Sequence, residues 1–226
     1  MPDTMLTSAA RRTFLRKALA SLALCLSAPA FAETGNIGLT SATCVLLGDS
    51  IMCDGSSGPG WATLALGSLR VRSLQRSVPG RRLQGYADAP DLLRSKIVGA
   101  THVITNLGIN DLVSTGTKAD DLFAMYDEVH SVIAAQGARM IQCTLLPWTR
   151  KNRPDVQASR TQVNQWIRTN PFGNGILDMD SVARDSSRPA HWRQDLGLPT
   201  RDGTHPTRPV IEAMATYART ELPAFL

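Results

Sequence analysis

The sequence predicts an α/β fold in which a parallel sheet carries helices on both faces, and three observations point to it. Short apolar runs alternate with helical segments along the chain. The runs are continuously apolar, as suits strands covered on both sides. Strands separated by helices need crossover connections, which make the sheet parallel and the crossovers right-handed. At 226 residues and 43% apolar composition the chain suits one domain with a full core. No internal repeat, low-complexity tract or linker divides it beyond the N-terminal region.

The elements follow in order. The run Cys44-Val45-Leu46-Leu47 makes residues 44–48 the first strand, and the glycine-rich turn Gly55-Ser56-Ser57-Gly58 leads into a helix over 59–69. Residues 73–78 read as a weak strand ending at Pro79-Gly80, 88–98 as a short helix, and 102–106 as the third strand. The longest helix is expected over 118–136. There Leu122, Met125, Tyr126, Val129, Val132 and Ile133 recur at three- and four-residue spacing, and Gly137 closes the end. Residues 139–146 form the fourth strand, 154–169 a helix with proline in its first turn, 175–179 a fifth strand, and 206–222 the last helix.

Residues 1–32 stand outside this pattern. Arg11-Arg12-Thr13-Phe14-Leu15-Arg16-Lys17 is a basic region, Ala18 to Ser27 a short apolar segment, and Ala30-Phe31-Ala32 supplies small residues for cleavage. This resembles a twin-arginine export signal, with the twin-arginine translocase as partner and a periplasmic or secreted destination. The segment is shorter than the roughly 20 residues of a membrane crossing, and no other stretch is long and apolar enough. Cys25 lies inside the apolar segment after Leu24, so lipidation is not expected. Residues 33–42 read as a polar linker and 43–226 as the domain.

Cleavage after Ala32 would leave 194 of the 226 residues. The segment holds four cationic residues and Asp3, a net +3 of the chain's formal +5, so the remainder is only +2. The basic balance is therefore a targeting feature. The clusters Arg70-Val71-Arg72 and Arg81-Arg82 are too short to indicate a nucleic-acid partner. Cys44, Cys53 and Cys143 remain, an odd count without C-x-x-C spacing. A strand between Cys44 and Cys53 would hold their Cα atoms beyond about 7 Å, too far for a bridge. Buried free thiols are the expectation.

Ester hydrolysis by a nucleophile needs a hydroxyl, a base, a group that orients the base, and donors for the oxyanion. Ser50 follows the first strand directly, where open α/β sheets place their ligands. His205 is the candidate base, because imidazole takes and returns a proton near neutral pH. Asp202, three residues earlier, can reach it within one turn and fix its tautomer. The pair alone also admits a structural reading, with Asp202 capping the helix near Pro206 and His205 exposed on a loop.

Four blocks in order decide between these readings. Gly48-Asp49-Ser50-Ile51, Gly80 within Val78-Pro79-Gly80-Arg81-Arg82-Leu83, Gly108-Ile109-Asn110-Asp111 and Asp202-Gly203-Thr204-His205-Pro206 resemble the blocks of the GDSL esterases, also called SGNH hydrolases. Thr101-His102-Val103-Ile104, Thr144-Leu145-Leu146-Pro147, Val163 to Arg168 and Leu177-Asp178-Met179-Asp180 resemble one secreted bacterial branch. The resemblance implies a flavodoxin-like three-layer α/β/α sandwich with five parallel strands. It also implies a Ser50–His205–Asp202 triad, and an oxyanion hole made by the Ser50 and Gly80 backbone N–H groups and the Asn110 side-chain amide. Asp111 is expected to be structural.

One departure is Pro79 before Gly80, which restricts Val78 to an extended conformation. G-x-S-x-G is absent around Ser50, which argues against the larger α/β-hydrolase fold. His102, His130 and His191 form no metal-ligand pattern, and no cofactor is expected. Trp61, Trp148 and Trp166 are candidate aromatic contacts. Trp148 follows the fourth strand at the ligand edge, where it would either line a substrate pocket or pack in the core. The expected substrates are small acyl esters, acetyl groups on polysaccharides foremost. Lipid esters or thioesters, acyl transfer to a polysaccharide, and non-catalytic carbohydrate binding are the alternatives.

Overall fold

The computed structural model describes residues 41–55 and 58–226. The expected export signal, and all but the last two residues of the linker, lie outside them. Five strands, β1 (Thr43–Leu47), β2 (Arg72–Gln75), β3 (His102–Thr105), β4 (Arg139–Cys143) and β5 (Ile176–Leu177), form one all-parallel sheet in the order β2-β1-β3-β4-β5. Eight α-helices are described: α1 (Trp61–Ser68), α2 (Gln84–Ala87), α3 (Pro90–Lys96), α4 (Ile109–Ser114), α5 (Ala119–Ala135), α6 (Pro154–Arg168), α7 (Met179–Ala183) and α8 (Arg208–Glu221). Packing of α1 on α8, and of α5 on α2, α3 and α6, makes the two helical layers. This is the three-layer flavodoxin-like sandwich.

Burial explains the strand sequences. All four residues of β3 are buried, as are the last four of β1 and of β4, so the strands are mostly apolar, with His102, Thr105 and Gln142 as buried polar exceptions. The strand order reverses between β1 and β3, and open α/β sheets bind ligands at the carboxyl ends of strands flanking such a point. Ser50 lies three residues beyond β1 and Asn110 five beyond β3.

Several boundaries differ from the sequence expectation. The fourth strand ends at Cys143, not Leu146, although Leu145 and Leu146 are buried. Side chains from α6 take over the backbone there. The Asn164 amide accepts from Leu145 N–H at 2.7 Å and donates to its carbonyl at 2.9 Å, and the Arg160 guanidinium donates to the same carbonyl at 3.1 Å. The fifth strand shrinks to two residues because Asp178 turns the chain, its side chain accepting from Ser181 N–H at the start of α7. Asn110 lies in the first turn of α4, a short helix that the sequence reading did not mark. The final helix begins at Arg208, too late for Asp202 to be its cap.

Arg160 anchors the corner behind β4. It meets Asp180 at 2.6 Å with both side chains nearly fully buried, and Arg168 bridges Asp178 and Asp180 at 2.8 Å each. Asp180→Ala removes the carboxylate and leaves the Arg160 charge buried. A loss of about 3–5 kcal/mol is expected in urea unfolding followed by tryptophan fluorescence, and a loss below about 1 kcal/mol would contradict it.

Candidate active site

The turn after β1 presents Ser50. The Asp49 carbonyl accepts from the N–H groups of Met52 (3.2 Å) and Cys53 (3.1 Å), which bends the chain sharply at the strand exit and leaves Ser50 half-buried. The hairpin that carries Asp202 and His205 closes over it from 155 residues away. His205 Nε2 lies 2.8 Å from Ser50 Oγ, and His205 Nδ1 lies 2.7 Å from Asp202 Oδ2. The structural reading of Asp202 as a helix cap gives way to an orienting contact.

Asp202 is itself fixed. Its Oδ1 accepts from the backbone N–H groups of Thr204 and His205, both at 2.9 Å. Partial desolvation works against its charge. The His205 N–H, the imidazole and the Thr204 N–H outweigh that and hold the carboxyl far below the usual carboxylate range. Asp202 therefore remains anionic at any pH where the imidazole works.

Three groups able to donate hydrogen bonds line one cleft. The N–H groups of Ser50 and Gly80 have no acceptor among the described residues, and both residues, with Asn110 and His205, line one open cleft of about 530 Å³. Gly80 has φ 72°, a left-handed conformation that side chains resist, so backbone geometry requires glycine here in addition to the close approach a substrate needs. The Asn110 amide donates to Asp49 Oδ2 at 3.0 Å and to the Arg81 carbonyl at 3.2 Å.

Two aspartates position these donors, and sequence reasoning assigned neither to the site. Asp49, fully buried, accepts from Ile51 N–H, from the Asn106 amide and from the Asn110 amide, tying the exits of β1 and β3 together. Burial pushes its carboxyl up to about 6, against the pull of the Ile51 N–H and the Asn106 amide. Asp111, also fully buried, accepts from the N–H groups of Leu83 (2.8 Å) and Gln84 (3.1 Å) and so holds the segment after Gly80. The signal for Asp49 was a carboxylate directly beside the serine at a buried strand end.

A model of the GDSL-like lipase/acylhydrolase family matches residues 46–209, a span that contains every residue of the candidate site. The chain belongs to this family. It is an ester-hydrolysing serine hydrolase of the GDSL class. Solved structures agree on the fold. A GDSL-like lipase from Bacteroides thetaiotaomicron VPI-5482 superposes with a TM-score of 0.63 at 14% identity, covering 94% of this chain and 98% of that one. A carbohydrate esterase family 3 protein from Talaromyces cellulolyticus gives 0.63 at 16% identity, covering 81% and 97%. A carbohydrate acetylesterase family member from Sinorhizobium meliloti gives 0.64 at 15% identity, covering 82% and 99%. No curated protein matches the sequence.

Within this GDSL framework the remaining candidates sort clearly. Trp148 lines the cleft but is only 6% exposed, so little of its ring is available for stacking. Trp166 stacks on Phe123 at 4.8 Å and Trp61 is fully buried; both are packing residues. Burial pushes the Cys44 thiol up to about 12 and raises Cys143 further, while desolvation and the nearby Asp49 and Asp54 raise Cys53. All three are free, and none competes with Ser50 as a thiolate. His102, His130 and His191 do not line the cleft. Among the described residues no group of three or more His, Cys, Asp or Glu could hold a metal ion, and no helix is long and apolar enough to cross a membrane.

Proposed function

We propose that this chain is an exported esterase that removes small acyl groups, acetyl above all, from carbohydrate alcohols through an acyl-Ser50 intermediate. The observation that carries the reading is the continuous relay of 2.8 Å and 2.7 Å contacts from Ser50 through His205 to Asp202, opening on the cleft shared with Gly80 and Asn110. His205 Nε2 takes the Ser50 proton as Oγ attacks the ester carbonyl. The Ser50 and Gly80 N–H groups and the Asn110 amide hold the oxyanion. His205 then returns the proton to the leaving alcohol, and water repeats the cycle on the acyl-enzyme.

Small acyl groups are favoured by the cleft's modest apolar lining, Pro79, Val113 and Trp148. The space lined by Ile51, Asn106 and Ile109 is only about 10 Å³, too small for an acyl chain. Longer chains have one observation in their favour: a second groove of about 720 Å³, which His205 also lines, carries Leu196, Leu198 and Ile211. Hydrolysis of p-nitrophenyl esters from acetate to palmitate separates the two. A maximum at acetate supports the deacetylase reading, and a maximum at long chains overturns it in favour of lipid esters or thioesters. Export through the twin-arginine route rests on the Arg11-Arg12 segment. Periplasmic protein that retains Met1 or Met5, instead of starting near Glu33, would refute it.

Asn110→Ala is expected to lower kcat by about 10²- to 10³-fold with little change in KM, because the amide acts on charge present only in the transition state. Steady-state kinetics on an acetyl ester would show it. A loss under about threefold would remove Asn110 from the oxyanion hole.

A further inference from the structure

The lining of the cleft around Ser50 carries Arg150, Lys151 and Arg153 and no Asp or Glu, with the anionic Asp202 one hydrogen bond behind His205. Arg150 and Lys151 line it, and both are exposed. Neither side chain is paired with a carboxylate among the described residues, whereas the neighbouring Arg153 is held by Asp155 through bonds of 2.9 and 2.6 Å. The sequence after residue 32 carries a formal charge of only +2, so this concentration is local rather than a share of a general excess.

The loop is built onto the catalytic turn. Thr149 N–H donates to the Gly203 carbonyl at 2.8 Å. Gly203 has φ 77°, and a Cβ there would stand 2.5 Å from the Arg150 backbone nitrogen and 2.7 Å from its Cα. Only glycine lets the Arg150 backbone lie flush on the turn between Asp202 and His205. On the far side, the Gln157 side chain holds the Trp148 carbonyl. The backbone that carries Arg150 is thus fixed against the turn before His205, and both cations line the cleft that His205 lines.

Their side of the cleft follows from the chemistry. His205 returns its proton to the leaving oxygen, so the alcohol departs past His205, and the loop that carries Arg150 is bonded two residues before it. Walls of low dielectric with charge of one sign concentrate an oppositely charged substrate. We propose that the alcohol part of the substrate is anionic, with a carboxylate or phosphate that pairs with Arg150 and Lys151. This deepens the acyl-Ser50 reading above and rests on it.

Three aryl acetates test it: neutral methyl 4-acetoxybenzoate, its free carboxylate 4-acetoxybenzoate, and 4-acetoxyphenyl phosphate. The quantity read is the ratio of kcat/KM for a charged ester to that for the neutral one, compared between conditions so that intrinsic reactivity cancels. In wild-type protein the ratio should fall as salt rises from about 10 mM to 1 M and the screening length shrinks from about 30 to 3 Å. In Arg150→Gln/Lys151→Gln it should fall by about tenfold at low salt, two- to fivefold for each exposed pair. Taking the ratio within one protein removes any loss of folded fraction, and the salt series needs no variant. A fall confined to the carboxylate identifies uronate-like alcohols, and one confined to the phosphate identifies phosphorylated alcohols. If the neutral ester turns over through Ser50 but neither ratio responds to salt or substitution, the anionic alcohol is overturned and the esterase reading stands. If none of the three shows Ser50-dependent turnover, both are overturned.

Discussion

Ser50→Ala will reduce ester turnover by about 10⁶-fold, the cost of losing a nucleophile whose base and oxyanion donors act only in concert with it. Ser50 Oγ has one partner, His205 Nε2, and the residue is half-buried on a turn held by backbone bonds from Met52 and Cys53. Alanine keeps that turn and removes only the oxygen. The thermal midpoint should therefore barely move, and binding of an ester analogue should persist. Rapid quenching of wild-type protein with an acetyl ester should yield an acetyl group on the Ser50 peptide, which the variant lacks. Acyl transfer to a sugar would pass through the same acyl-enzyme, and product analysis with an added alcohol separates it from hydrolysis. Turnover within tenfold of wild type would sink the assignment and direct attention to Ser114 or Thr204, the other hydroxyls of the cleft. A non-catalytic binding protein would have no turnover to lose.

Asp49 shows where sequence reasoning reaches and where it stops. The first and third strands were legible because both of their faces are covered, which leaves a continuous apolar run in β1 and a Val103-Ile104 centre in β3. The second strand was faint because Arg72–Gln75 is an edge strand with no buried residue. Residues 144–146 carry the same apolar signature as a strand, yet their backbone is claimed by Asn164 and Arg160 of α6, a competition no local pattern reveals. Helices α2, α4 and α7 are too short for periodicity to register.

The site divides in the same way. Ser50, His205, Asp202, Gly80 and Asn110 were legible as blocks in order. The work of Asp49 depends on Asn106 and Asn110, 57 and 61 residues away, and is visible only once β1 and β3 lie side by side. Asp111, expected to be structural, is so in a specific sense: it holds the strap after Gly80 against the turn that carries Asn110. Arg150 and Lys151 had no signal at all. They lie in a loop without a motif, brought to the cleft by a glycine more than fifty residues later.

Asp202→Asn should be nearly as damaging as loss of the nucleophile, and the hydrogen-bond pattern dictates why. The amide has two orientations. Oδ1 of the aspartate accepts from two backbone N–H groups, those of Thr204 and His205, so an NH₂ at that place would face two donors. The asparagine oxygen must therefore stay there, and its NH₂ takes the place of Oδ2, 2.7 Å from His205 Nδ1. A donor at that point makes Nδ1 the acceptor and forces the ring proton onto Nε2. That proton then points at Ser50 Oγ, and the imidazole is no longer a base toward it. A fall in kcat of about 10⁴-fold is expected, the cost of holding a catalytic histidine in the wrong tautomer. Nitrogen-15 NMR of His205 should show the proton moving from Nδ1 to Nε2. Stability supplies an independent readout with a definite sign. The Asp202 carboxyl is depressed in the folded protein from 3.8, so its stabilising contribution is complete above about pH 4 and is lost as pH falls below that value. The stability difference between wild type and Asp202→Asn should thus shrink as pH falls below about 4. A kcat within tenfold of wild type, with the Nδ1 proton still in place, would mean that His205 takes its orientation from elsewhere.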